Sequence, residues 1–145
     1  MSFVVDSCVL LDIALKDPKW SLKSATMLEK KMKHGLVVCP LSVIEISPQF
    51  AGSLSEVRSF LRIVGVDYAE PWNDTDTSNA AKAWSQYVSK RRSDKVAKRP
   101  LADILIGAFA LRLSGLITRN PEHFKPWFPT IKILDPKNVN STHEI

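Results

Sequence analysis

Four polar residues recur at similar positions in this chain. Asp6 closes the apolar run FVV, and Glu45 lies among Val43, Ile44 and Ile46. Asp103 enters the most apolar stretch of the sequence, and Asn120 lies two residues beyond LIT. Carboxylates drawn to one place repel one another, and their pKa values rise unless a cation sits among them. An all-oxygen set of this kind suits a hard divalent ion such as Mg²⁺ or Mn²⁺. The chain as a whole is basic, with a formal net charge of +5 and a pI near 9.3. Part of that charge is concentrated in Lys90, Arg91, Arg92, Lys95, Lys98 and Arg99. Positive surface beside an acidic metal pocket suits a phosphodiester or another polyanion.

Each of these residues also has a plainer reading. Asp6 can cap the helical turn that follows it. Ser42-x-x-Glu45 has the form of a capping box, with the carboxylate turned back onto the Ser42 N–H. Asp103 can be a dipole-stabilised acid in a first helical turn. The basic run can be a solvated helix end. Asp12 and Asp17 read as solvated surface acids. His34 and Cys39 lack further ligands at zinc spacing. His123 reads as a loop residue, and Trp84, Trp127 and Phe128 read as packing residues.

The elements that must position the four residues come from apolar periodicity and its breakers. Residues 3–5 form a first strand, with a short helical stretch to follow up to residue 15. Asp17-Pro18 breaks the chain, residues 21–34 read as a helix, and Gly35 ends it. Residues 36–39 form a second buried strand closed by Pro40. Helices are predicted over residues 42–50 and 53–61, and a third strand over residues 63–66. A helix from about residue 75 carries Ala80, Ala81, Trp84, Tyr87 and Val88 at helical spacing and runs into the basic stretch. The central element spans residues 100–120. It comprises Pro100, an almost wholly apolar helix broken by Gly107 and Arg112, a Gly115 stop in the left-handed region, and a strand at LIT. Residues 121–128 form a loop, residues 131–134 a last strand, and residues 138–145 a polar tail. Strands alternating with helices predict a mainly parallel sheet covered on both faces, with function at the carboxyl ends of its strands. That edge is where Asp6, Glu45, Asp103 and Asn120 fall.

At 145 residues, 45% apolar and 24% charged, the chain is expected to form a single domain over residues 1–137 with its own core. No apolar run reaches membrane-spanning length, and no basic leader precedes an apolar stretch, so no membrane association is expected. Two cysteines, Cys8 and Cys39, outside any CxxC pair, fit free thiols in a reducing cytoplasm.

Taken in order, VVDSCVLLD, SVIEIS, PLADILIGAFAL and LITRNPEHF resemble the motifs of PIN-domain nucleases, especially the bacterial VapC-type toxin ribonucleases. The similarity spans nearly the whole chain and includes the closing strand IKILDP. It implies a three-layer α/β/α sandwich with a mainly parallel sheet of about five strands. It also implies a Mg²⁺- or Mn²⁺-dependent endoribonuclease, a homodimer, and a partner antitoxin that neutralises it. The family's acidic positions fall here on Asp6, Glu45 and Asp103, and its fourth position falls on Asn120. Ser7 matches the hydroxyl residue that follows the first aspartate, and Thr118 the hydroxyl residue before the fourth position. Together with Arg92, Lys98 and Arg99 of the basic run, these two are the expected substrate contacts. On this reading Asp6 and Asp103 hold the principal ion, with Glu45 completing the pocket.

The sequence departs from the family pattern in two places. Cys8 stands where Asn or Ser is frequent, and Asn120 stands where an acid is frequent. An amide brings no charge, which bears on a second metal. A non-catalytic PIN-fold module that binds RNA or a protein partner is the main rival reading. A phosphoaspartyl hydrolase of the haloacid-dehalogenase type needs an acid where Cys8 stands. A Rossmann nucleotide-binding protein needs glycines in Asp6-Ser7-Cys8-Val9. A DNA-cleaving PIN relative would share these motifs, although the small size without insertions favours the toxin branch.

Overall fold

The computed structural model describes residues 1–93 and 100–139, with the backbone alone for Arg92 and Ser93. Lys95, Lys98, Arg99, the Arg92 side chain and residues 140–145 of the expected tail therefore lie outside the described residues. Among the described residues ten strands and α-helices follow in order: β1 (Phe3–Val5), α1 (Ser7–Ala14), α2 (Ser21–Lys31), β2 (Leu36–Val37), α3 (Pro40–Ile46), α4 (Leu54–Ile63), α5 (Asp74–Ser93), α6 (Leu101–Leu111), β3 (Gly115–Ile117) and β4 (Ile133–Leu134). The four strands form one sheet in the order β2-β1-β3-β4, and every pairing is parallel. Val4 lies opposite Val37 on one side and Leu116 on the other.

The period-two pattern of β1 sorts its side chains onto two faces. Val4 joins Leu116, Ile104, Phe109 and Tyr87 in a core beneath α5 and α6. Phe3, Val5 and Ile117 join Val9, Leu28, Val57 and Leu61 in a second core beneath α1, α2 and α4. Helices thus cover both faces of an all-parallel sheet, and this burial explains why its strands read as unbroken apolar runs. Trp84, Trp127 and Phe128 pack in the first core. Val139 is buried in the second, past the short 3-10 turn Pro136–Asn138. Among the described residues no helix is long and apolar enough to cross a membrane.

The sheet differs from the expected five strands in its third apolar run. Ile63 belongs to the last turn of α4 and is 83% exposed, and Gly65 reverses the chain at φ +78. Only Asp67 reaches the sheet, through a single parallel bridge to Val37. A short apolar run bounded by a glycine fits a helix end as well as a strand, and here the helix prevails.

Helix α6 is apolar nearly all round because it lies between the sheet and α5, with Ile104, Ile106, Ala108, Phe109 and Ala110 buried. Its glycine has a packing role, since a Cβ at Gly107 would lie 2.5 Å from the Phe128 ring. The helix ends at Leu111 with Arg112 still in the right-handed region, and Gly115 opens β3 instead of forming a left-handed stop. Arg112 turns back onto the buried Asp76, with Nε 2.8 Å from Oδ1, so this cation is bound within the fold.

Candidate active site

Asp6 leaves β1 at its carboxyl end and serves as the N-cap of α1, its Oδ1 accepting from the Ser7 N–H at 2.8 Å. The capping role therefore holds for one oxygen. The other, Oδ2, accepts from Thr118 Oγ1 at 2.7 Å and from Cys8 Sγ at 3.4 Å. Asp6 and Thr118 are adjacent because β1 and β3 pair directly, and the Asp6 N–H donates to Ile117 O at 3.0 Å. Burial pushes the Asp6 carboxyl up, and the hydrogen bonds from Thr118, Cys8 and Ser7 hold it back.

Glu45 arrives from α3. Its Oε1 accepts from Ser7 Oγ at 2.5 Å, so the carboxylate turns towards Asp6's neighbour and not towards Ser42. The expected capping box is absent because α3 begins earlier, at Pro40, with Cys39 as N-cap. Proline fits the first helical position, and this moves Ser42 into the first turn of the helix. Ser42 is fully buried, and among the described residues its Oγ has no hydrogen-bond partner.

Asp103 lies in the first turn of α6, where the helix dipole favours negative charge. Its carboxyl is pushed up to about 6, first by burial and then by Asp6 and Glu45, against the lowering effect of His123. The charges of Asp6 and Glu45, from distant parts of the sequence, therefore both bear on Asp103. His123, read from sequence as a loop residue, has Nδ1 3.6 Å from Asp103 Oδ2 and Nε2 3.9 Å from Glu122 Oε1. It also lowers the pKa of Asp6. Its position comes from the short 3-10 turn Pro121–His123, which carries the chain back after Asn120. The available signal was a histidine three residues past the fourth motif position.

Asn120 is the N-cap residue of that turn, but its side chain makes no capping bond. Its backbone N–H donates to Thr118 Oγ1 at 3.1 Å, which fixes the chain leaving β3 at the edge of the acidic group. The Ser7 and Thr118 hydroxyls, expected to meet substrate, give their hydrogens to Glu45 and Asp6. In this arrangement they orient the two carboxylates. The Cys8 thiol is pushed up to about 12 by burial and by Asp6, so it is neutral and acts as a weak donor.

Asp12 is not a surface acid. It is 4% exposed and held by a two-pronged bond from Arg119, with Nε at 2.6 Å and Nη2 at 2.8 Å. Ser24 Oγ donates to it at 2.8 Å, and the Arg119 guanidinium lies 5.0 Å from the Trp20 ring centroid. This bridge ties α1 and α2 to the residue between Thr118 and Asn120. Neither partner's spacing in sequence marks it.

Oxygen donors of this type suit a hard divalent cation, and the burial of Asp103 beside the charges of Asp6 and Glu45 is a condition a cation would relieve. Asp6 uses three of roughly four acceptor positions in the bonds above, which leaves capacity for a ligand. The arrangement is open nonetheless: among the described residues no three His, Cys, Asp or Glu side chains form a metal-binding group. No family model matches this chain, and no curated protein is significantly similar to it.

Proposed function

We propose that the protein is a metal-dependent endoribonuclease with a PIN-like α/β/α sandwich, acting as the toxin of a toxin–antitoxin pair. The observation that carries this reading is Ser7 bonded through its N–H to Asp6 and through its hydroxyl to Glu45, with the charges of both acids bearing on Asp103 at the start of α6. The sequence motifs around these residues supply the family assignment, and with it the homodimer and the antitoxin partner.

In this reading Asp6 and Asp103 hold a Mg²⁺ or Mn²⁺ ion, with Glu45 beside them. Such an ion supplies water activation and charge neutralisation at the phosphoryl oxygens when bound. The chain's own contribution is to place the carboxylates. Thr118 and the Ser7 N–H fix the Asp6 rotamer, and the Ser7 hydroxyl draws Glu45 inward. His123, with Nδ1 3.6 Å from Asp103 Oδ2, offsets the negative charge of Asp103 and Asp6 when it is protonated. Burial of Asp6 at the end of a rigid strand limits reorganisation.

A second reading, a PIN-fold module that binds RNA or a protein without cutting, is favoured by the neutral Asn120 and by the open acidic group. One assay separates the two. Purified wild type should cleave RNA with Mn²⁺ and stop with EDTA, and Asp103→Asn should be inactive. RNA binding without cleavage by wild type would favour the module, and equal cleavage by both proteins would end the catalytic assignment.

A further inference from the structure

Helix α4 carries a group of cations that the acidic edge does not use. Ser55, Arg58, Ser59 and Arg62 recur at helical spacing along its outer face and, with Tyr68, line a surface cavity of about 430 Å³. The Arg58 guanidinium lies 5.0 Å from the Tyr68 ring centroid and that of Arg62 lies 6.0 Å from it. Arg62 Nη1 donates to Tyr68 Oη at 2.7 Å, and Nη2 donates to Ser59 Oγ at 3.2 Å. Among the described residues neither arginine has a carboxylate within ion-pair distance, and the Arg58 N–H groups have no hydrogen-bond partner. Arg112 and Arg119 differ on both counts, since each is bound to a buried aspartate.

Two guanidiniums gathered on one tyrosine repel each other, and the ring offsets only part of that repulsion. The tyrosine and serine oxygens orient Arg62, leaving the Arg58 fork presented to solvent. Paired guanidinium forks beside hydroxyl donors match the tetrahedral oxygens of a phosphate. One lining residue, Tyr68, can be placed relative to the sheet. Val37 is opposite Val4 in β1, and Asp67 is bridged in parallel to Val37. Tyr68 therefore leaves the sheet at the same carboxyl edge as Asp6, two strand spacings or roughly 10 Å to one side.

We infer that Arg58, Arg62 and Tyr68, with Ser55 and Ser59, form a binding site for a phosphate of a single-stranded nucleic-acid backbone, lateral to the acidic group. The choice of RNA as the ligand rests on the function proposed above. The cavity's fit to an oxyanion rests on its own donors.

The test is binding of a fluorescein-labelled single-stranded RNA dodecamer in EDTA, so that neither metal nor cleavage enters. Arg58→Gln/Arg62→Gln is compared with Lys33→Gln/Lys132→Gln, which removes the same charge from the opposite edge of the sheet. Both lysines are exposed and precede β2 and β4 respectively. Loss of one phosphate contact should lower the salt slope by ~0.7 and weaken binding about fivefold at about 0.1 M salt, while the lysine pair stays near wild type. Circular dichroism of the arginine variant should match wild type, since both side chains are exposed. Equal effects of the two pairs, or no effect of the arginine pair, would overturn the site. A poly-glutamate dodecamer that binds more tightly than RNA, and loses binding in the arginine variant, would assign the cavity to an acidic protein segment and overturn the phosphate reading. Cleavage by wild type is scored separately, so failure of the site and failure of the nuclease reading give different results.

Discussion

Thr118 Oγ1 donates a 2.7 Å hydrogen bond to Asp6 Oδ2 across 112 residues of sequence. Both residues are buried, and the bond joins the carboxyl ends of the two central strands. It stabilises the charged form of Asp6 against the burial that opposes it. Thr118→Val should therefore leave a buried carboxylate short of a donor and destabilise the fold by about 1–3 kcal/mol at neutral pH. Urea denaturation measures this. A variant as stable as wild type would mean that the bond has no net value.

Asp103 gives a prediction with the opposite sign. Its carboxyl titrates near 6 in the folded protein, above the ordinary value of 3.8. A raised folded pKa means that its contribution to stability is complete below about pH 4 and is lost as pH rises through about 6. In EDTA, Asp103→Asn should thus have a higher melting temperature than wild type at about pH 8, and the advantage should vanish near pH 4. A lower melting temperature at pH 8 would show that the charge stabilises the fold and is not held in a repulsive group.

The Arg119–Asp12 bridge makes a third case. Arg119→Met would leave Asp12 buried with only Ser24 as a donor, at a cost of about 3 kcal/mol. Asp12→Leu in the same chain should recover much of that loss, which a double-mutant cycle measures. Additive losses would show that the two residues do not depend on each other.

The parts of the fold that were legible in the sequence are those where periodicity and breakers agree. Phe3–Val5 and Gly115–Ile117 are short apolar runs followed by polar residues, and Leu101–Leu111 is too long and too apolar to be anything but a packed helix. The positions of Asp6 and Asp103 follow from these elements. Local evidence gave out where a partner is remote or a signal is shared. The Ser42-x-x-Glu45 pattern fits a capping box, but Pro40 starts the helix first and frees Glu45 for Ser7. Residues 63–66 have the composition of a strand, yet α4 runs to Ile63 and its end is closed by the residues that follow, with Val64 N–H donating to Phe60 O and Val66 N–H to Leu61 O. Asp12 looked solvated because Arg119 lies 107 residues away, and His123 looked idle because its neighbour Asp103 belongs to another element.

The central claim is that Asp6 and Asp103 share one divalent cation, and calorimetric titration of Mn²⁺ tests it most directly. Wild type should bind a single ion, and Asp103→Asn should lose that binding. Asn120→Asp should tighten binding by about tenfold, equivalent to ~1.4 kcal/mol, by restoring charge beside Thr118. Glu122→Ala should barely alter it, since the Glu122 side chain is 67% exposed. No heat of binding in wild type, or equal affinity in wild type and Asp103→Asn, would contradict the metal site and the nuclease built upon it.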